Sequence, residues 1–397
     1  MTGCDHSDVA EEVHALDPNQ VESDREAAIA ESLEYTPSPE RFEYTGRIDD
    51  ESAAWRHEAT RGLRLTAEAE PEDDRMDVLT RDGRTFRQRV GTTVHYESRR
   101  SHIEGEPRPG FDLGVDTDRE AKEQGFRQSV GTPDDRTIVT SASEQEVTVR
   151  LANTATSTGG ICSASMISPR VFLTAAHCVT DGNGNWSTNL PQVVMPAVRG
   201  KTFSGDDTIL DSDDTPFGAR QIIRYIKPVP WDGGSGSGPT TARFDYALLV
   251  IGDLAPDATG PVQWDPTPAS FATESCTDIV GDNVNVRGYP GPNNDCADAW
   301  PEDGDKCGGY AFTENAPVQQ CFTDALLSCH DGSGGQSGGP LYKWNAATGE
   351  RTVLGVIRGA LGGNHFFHRI RPASYNVLCN VVTNPDNQSS YFDNVSC

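Results

Sequence analysis

"HDGSGGQSGGPLY", residues 330–342, carries five glycines around Ser337. Side chains this sparse bury almost nothing, so the glycines serve backbone shape, either positive-φ turns or close approach of another group. A flexible linker is the bland alternative, and two features oppose it. Ser337 sits between Gln336 and Gly338 in a tight turn, and Pro340-Leu341-Tyr342 returns at once to strand-like sequence. The stretch poses Ser337 as a nucleophile in need of a base.

A serine hydroxyl is a poor nucleophile until a base takes its proton, and the base needs a buried acid to hold its tautomer. "LTAAHCV" supplies His177, with Cys178 beside it and Cys162 sixteen residues earlier, close enough to staple the loop that holds the imidazole. "RFDYALLVI" supplies Asp245 at the mouth of an apolar run, where a carboxylate is partly desolvated. Each has an ordinary alternative: a core histidine, a strand cap, a turn residue. All three in these contexts, with the cysteine pair, favour chemistry over coincidence.

Composition bounds the rest. The 397 residues are enough for two or three domains, and 35% hydrophobic with 23% charged residues fits a mostly globular chain. A net charge of −27 excludes a general nucleic-acid-binding surface. Of the ten cysteines only Cys4 precedes residue 162. The other nine lack the paired C-x₂-C spacing of zinc ligands, so disulfides in an oxidising compartment are expected, and with them export. No apolar run has transmembrane or signal-peptide length, and "MTGC" resembles the tail of a lipoprotein cleavage site with Cys4 as acceptor. The expected product is secreted or held at the cell surface.

Charge divides the chain near residue 127. Residues 1–127 hold 31 acidic and 17 basic side chains and residues 128–397 hold 29 and 16, which together make the 60 and 33 of the whole. The shorter part is the poorer core-former. Residues 1–24 read as disordered, "REAAIAESLEY" (25–35) as a short helix, and "DVLTRDGRTFRQRV" (77–90) as a hairpin turning at Asp82-Gly83. A small α+β or partly disordered prodomain fits residues 1–127, and so does an independent binding module. From about residue 140 short apolar segments ("EVTVRLA", "RVFLTAA", "YALLVI", "VNVRGY", "TVLGVIRG") alternate with Gly, Pro, Asn and Asp, the texture of an all-β barrel or sandwich. Only "PASYNVLCNVV" near the end has helical periodicity, and "WDGGSGSGPTT" (231–241) reads as an exposed loop. "DGNGN" (181–185) spaces oxygen ligands as calcium loops do, but lacks the downstream bidentate glutamate and reads as a turn, so no metal and no cofactor is expected.

Residues 128–397 resemble serine proteases of the chymotrypsin class through "CSASMISPRVFLTAAHCV", "DYALL" and "GQSGGP". "VGTPDDRTIV" (130–139), "VRGYPG" (286–291) and "DGSGGQSGGPLY" lean towards the bacterial V8-like glutamyl endopeptidases. The resemblance implies an all-β fold of two antiparallel six-stranded barrels with the active site between them. It covers none of residues 1–127. It casts His177 as general base, Asp245 as its orienting acid, Ser337 as nucleophile, and the amides of Gly335 and Ser337 as the oxyanion hole. Ile357, Arg358 and Gly359 fall on the strand that aligns an extended substrate.

One position departs from the pattern. Many enzymes of this class carry an aspartate directly before the serine, and an α-amino group freed by cleavage pairs with it. Here that residue is Gln336, so this switch is expected to be absent and a cut near Arg127 to Val130 to tolerate extra terminal residues. Asp331, six residues before Ser337, favours Arg or Lys before the scissile bond if Arg358 points outward. An inward Arg358, helped by His365 or His368, favours Glu or Asp. The balance leans slightly to the basic preference. The expected protein is a monomeric, secreted serine endopeptidase acting on protein or peptide substrates. A non-catalytic binding or adhesion protein on the same scaffold is the alternative, and a small-ester esterase is disfavoured because G-Q-S-G-G is not a strand-to-helix elbow.

Overall fold

The structure is a computed structural model and describes residues 41–47, 75–88, 136–139, 146–153, 160–181, 183–199, 214–231, 233, 243–252, 267–291, 309–361, 364–384 and 387. The "REAAIAESLEY" helix, Cys4, the cut near 127–130 and most of "WDGGSGSGPTT" lie outside these residues. In chain order the strands are β1 (Phe42–Arg47), β2 (Met76–Thr80), β3 (Arg84–Gln88), β4 (Thr137–Val139), β5 (Thr148–Ala152), β6 (Gly160–Ser168), β7 (Val171–Thr174), β8 (Val193–Pro196), β9 (Arg220–Pro228), β10 (Ala247–Ile251), β11 (Ser270–Phe271), β12 (Asn283–Gly288), β13 (Ala311–Cys321), β14 (Ala325–Ser328), β15 (Pro340–Asn345), β16 (Glu350–Leu361) and β17 (Asn364–Arg369). The helices are the short α1 (Cys276–Ile279) and α2 (Pro372–Val382).

Two closed six-stranded antiparallel barrels result. The first runs β9-β10-β7-β6-β5-β8 and closes where β8 returns to β9; the second runs β16-β15-β12-β13-β14-β17 and closes between β17 and β16. The apolar runs read from sequence are these strands: every residue of "ALLVI" in β10 and of "VFLT" in β7 is buried. Closure pairs the two end strands of each ring, which is how antiparallel sheets limit edge-to-edge association. Helix α2 is the periodic "PASYNVLCNVV" segment. Pro372 opens it, at a position where a missing N–H costs no helical hydrogen bond, and Ser374 Oγ accepts the Arg371 N–H at 3.0 Å. Val377, Leu378, Val381 and Val382 turn into the core shared with the first barrel.

The hairpin read at 77–90 is β2 and β3, turning at Asp82-Gly83 with Gly83 at φ 87°. It does not stand apart. β2 pairs antiparallel with the end of β9 from Met76↔Pro228 to Thr80↔Arg224, beyond the point where β8 leaves that edge, and β1 adds a third strand outside β3. Met76, Val78, Leu79 and Phe86 are buried in the first barrel's core cluster, Asp77 pairs with Arg87 and Lys227, and Arg81 donates to the carbonyls of Gln192 and Ile222. The two sides of the expected boundary therefore share one sheet. Leu79→Ala should cost about 2–4 kcal/mol and lower the melting transition of the whole chain. A calorimetric trace with a separate ribbon transition and an unmoved main one would show that the ribbon folds alone.

Candidate active site

His177 follows β7 on a single 3₁₀ turn, Ala176–Cys178, capped by Ala175, and Ala175 and Ala176 are fully buried. Cys178 is bonded to Cys162 on β6, with Cα atoms 6.0 Å apart, so the turn is stapled to the neighbouring strand. A second disulfide joins Cys276 to Cys321. Asp245 sits just before β10, where the Tyr246 N–H reaches the Phe244 carbonyl at 2.8 Å and folds the chain tightly around the aspartate.

The Asp245 side chain is fully buried and accepts two groups of the same residue: the His177 N–H at 3.0 Å and the His177 ring at Nδ1, 2.9 Å from Oδ2. A carboxylate facing Nδ1 holds a proton there, so in the neutral ring Nε2 is the acceptor, on a side chain that is 34% exposed. Arg358 completes the group from the second barrel. Its Nε lies 3.2 Å from Asp245 Oδ2, and its guanidinium stands 6.0 Å from the ring centre of Trp231, whose Nε1 donates to Thr180. The β16–β17 register slips between Ile357 and Gly359, at Arg358, and such bulges re-aim side chains beside active sites. Arg358 thus points inward.

Burial pushes the Asp245 carboxyl up, but the charge and hydrogen bond of His177, then the Arg358 charge and the His177 amide, outweigh it and hold the group down at about 2. The ion pair and hydrogen bonds, not exposure, keep this buried acid ionised.

The Ser337 loop is anchored to the first barrel by Ser163 of β6. The Ser163 N–H donates to the Ser337 carbonyl at 2.7 Å, its hydroxyl donates to the Gly335 carbonyl at 2.9 Å and accepts the Tyr289 N–H at 2.8 Å, and its carbonyl accepts from Thr174 Oγ1. The Ser337 carbonyl also lies 3.6 Å from Cys178 Sγ, next to His177. Gly335 and Gly338 have φ of 88° and 83°; a side chain on Gly335 would stand 2.6 Å from the Tyr289 carbonyl, and one on Gly338 would strike Thr174 and Ser163. The Gly335 and Ser337 amides meet no acceptor among the described residues.

The other expected positions are resolved unevenly. Ile357 uses its N–H on the Gly339 carbonyl and its carbonyl on the Gly338 N–H, both at 2.8 Å, so it holds the Ser337 loop, and Gly359 pairs with Phe366 of β17. Asp331 is buried with its N–H on Glu314 at 2.6 Å. Residues 181–185 form the expected turn, with Asp181 accepting the N–H groups of Asn183 and Asn185. Sequence reasoning misses Ser163, Trp231 and Arg136. Arg136 lies within "VGTPDDRTIV", but nothing local marks which of its residues turns inward.

Two closed barrels with these groups between them make the fold that of the chymotrypsin class. No family model matches the sequence. The chain is similar to a glutamyl endopeptidase of Bacillus licheniformis, 25% identical over 244 residues that make up 60% of this chain and 64% of that protein, just under two thirds of its length. It is also similar to an extracellular metalloprotease of Bacillus subtilis, 21% identical over 289 residues, 71% of this chain and 75% of that one. Among solved structures, a Glu endopeptidase in complex with MPD aligns with a TM-score of 0.45 at 16% identity, covering 63% of this chain and 97% of that one. Cys162, His177 and Cys178 come together within 4.8 Å, yet both sulfurs are spent in the disulfide and offer no thiolate to a metal. No helix among the described residues is long and apolar enough to cross a membrane.

The depressed Asp245 carboxyl fixes the sign of an acid effect. Its folded value lies below the ordinary 3.8, so its stabilisation is present above about pH 4 and lost as pH falls towards about 2. Over that window the wild type should lose about 2 kcal/mol of unfolding free energy that Asp245→Asn does not lose, measured by denaturant titration at each pH.

Proposed function

We propose that the protein is a secreted serine endopeptidase that hydrolyses peptide bonds through an acyl-enzyme on Ser337. The observation that carries this is the double hydrogen bond between His177 and the buried Asp245, with the Ser337 carbonyl accepting the N–H of Ser163 on β6, the strand to which Cys162–Cys178 staples the histidine's turn. His177 Nε2 takes the Ser337 proton as Oγ attacks the scissile carbonyl carbon. The Gly335 and Ser337 N–H groups receive the oxyanion, and His177 returns the proton to the leaving amine. Water then repeats the sequence on the ester. Asp245 stays ionised and steadies the imidazolium. The proposed steps draw on no cofactor, and the protein is proposed to act as a monomer on protein or peptide substrates. Disulfides and the extracellular relative support export, and maturation is proposed between Arg127 and Val130.

The residue before the scissile bond is proposed to be Glu or Asp. The named activity of the Bacillus licheniformis relative supports this preference, while the inward Arg358 is engaged by Asp245 and serves that carboxylate instead of a substrate side chain. His365, 3% exposed, packs its ring against Gly332 so closely that a side chain there would stand 2.7 Å from Nδ1, which brings an imidazole to the loop that carries Asp331 and Ser337.

A fluorophosphonate probe should label Ser337 in the wild type, and Ser337→Ala or His177→Ala should each lower kcat by about 10⁴–10⁶, with the double variant hardly worse. Near-wild-type peptidase activity in Ser337→Ala would discard the nucleophile. A peptide library should be cut after Glu or Asp; a preference for Arg or Lys would return the pocket to Asp331 while leaving the nucleophile standing.

A further inference from the structure

Gln336, the residue before the nucleophile, is 2% exposed, and its side chain is used twice. Oε1 accepts the Ser333 N–H at 2.8 Å, and the Gln336 N–H returns to the Ser333 carbonyl at 3.2 Å, so residues 333–336 are closed into a ring by backbone and side chain together. The same Oε1 accepts Arg136 Nη1 at 3.1 Å, and that nitrogen also lies 3.3 Å from Ser333 Oγ. Arg136 is 2% exposed, stands 5.1 Å over the Phe312 ring, and immediately precedes β4, which pairs with Thr313, Phe312 and Ala311 of β13. A buried cation from the start of the protease region thus grips the loop whose next amide belongs to Ser337.

We propose that Arg136 is a positioning residue of the oxyanion loop: an internal side-chain cation that occupies the role of a cleavage-freed α-amino group, bound to a neutral amide instead of a carboxylate. The inference rests on the serine-endopeptidase reading. Its chemistry follows from the partners. A freed α-amino group exists only after a cut, whereas the Arg136 guanidinium is present in every form of the chain, so the ring at 333–336 is held before and after processing. Both contacts to Oε1 and Ser333 Oγ come from Nη1 while the planar group lies over the Phe312 ring, and a lysine ammonium, a point charge on a flexible stem, reproduces the charge and the donors without the planar stacking. Loss of the grip frees the 333–336 ring to turn, and the Gly335 and Ser337 amides with it.

The test uses the full chain with Arg136→Ala and Arg136→Lys. Losing one oxyanion donor costs about 10²–10³ in kcat in other enzymes, and Arg136→Ala should approach that loss with KM within about threefold of wild type and a matching drop in the rate of fluorophosphonate labelling. Arg136→Lys should fall between. Guanidinium chloride at tens of millimolar should raise kcat of Arg136→Ala by about tenfold and leave the wild type unchanged, a response that a merely destabilised fold does not give. Labelling and kcat of Arg136→Ala within about threefold of wild type would overturn the proposal, as would a loss that guanidinium does not restore. A wild type that the probe does not label would instead sink the endopeptidase reading, and the role of Arg136 with it.

Discussion

One serine in the first barrel holds the second barrel's loop in place. Ser163 spends its N–H, its hydroxyl and its carbonyl on Ser337, Gly335, Tyr289 and Thr174, so no polar atom of this buried residue is idle. A hydroxyl that both donates and accepts across an interface sets a distance as well as an energy, because neither contact survives if the barrels slide. The Ser337 loop has few side chains of its own to pack. Its shape is borrowed from a neighbour.

The second constraint is electrostatic. A fully buried carboxylate is expensive, and here its cost is offset from both barrels: His177 from the first, Arg358 from the second. Asp245 therefore draws its ionisation mainly from His177 of its own barrel and in smaller part from Arg358 across the cleft. Trp231 covers the guanidinium on one side, which limits water at the pair. The buried salt bridge between Glu146 and Arg287 on β12, at 2.6 Å, adds a further ion pair next to β5.

Much of this is legible in the residues. The strands, helix α2, the hairpin at 77–90 and the Cys162–Cys178 pair follow from local patterns whose period or spacing is short. What stays open depends on partners far along the chain. Barrel and sandwich share one strand texture, and the choice is made by the β8–β9 and β16–β17 closures, which no local period encodes. Cys276–Cys321 spans 45 residues, and spacing does not reveal connectivity. The direction of Arg358 turns on a register slip that adds a residue to one strand without marking the sequence. Ser163 looks like any small residue of a strand, since its role lies in its backbone as much as in its hydroxyl.

The pairing of β2 with β9 joins residues that lie on opposite sides of the expected processing site. While the chain is whole, the ribbon is tethered and its local concentration at β9 is set by the linker. Once the chain is cut, the same hydrogen bonds and the same buried Val78 and Leu79 become a binding equilibrium between two molecules, governed by a dissociation constant and therefore by dilution. A processed protein would then keep its ninth-strand edge covered in concentrated solution and uncover it as it spreads, so that its tendency to self-associate would depend on its history of dilution and not on its sequence alone.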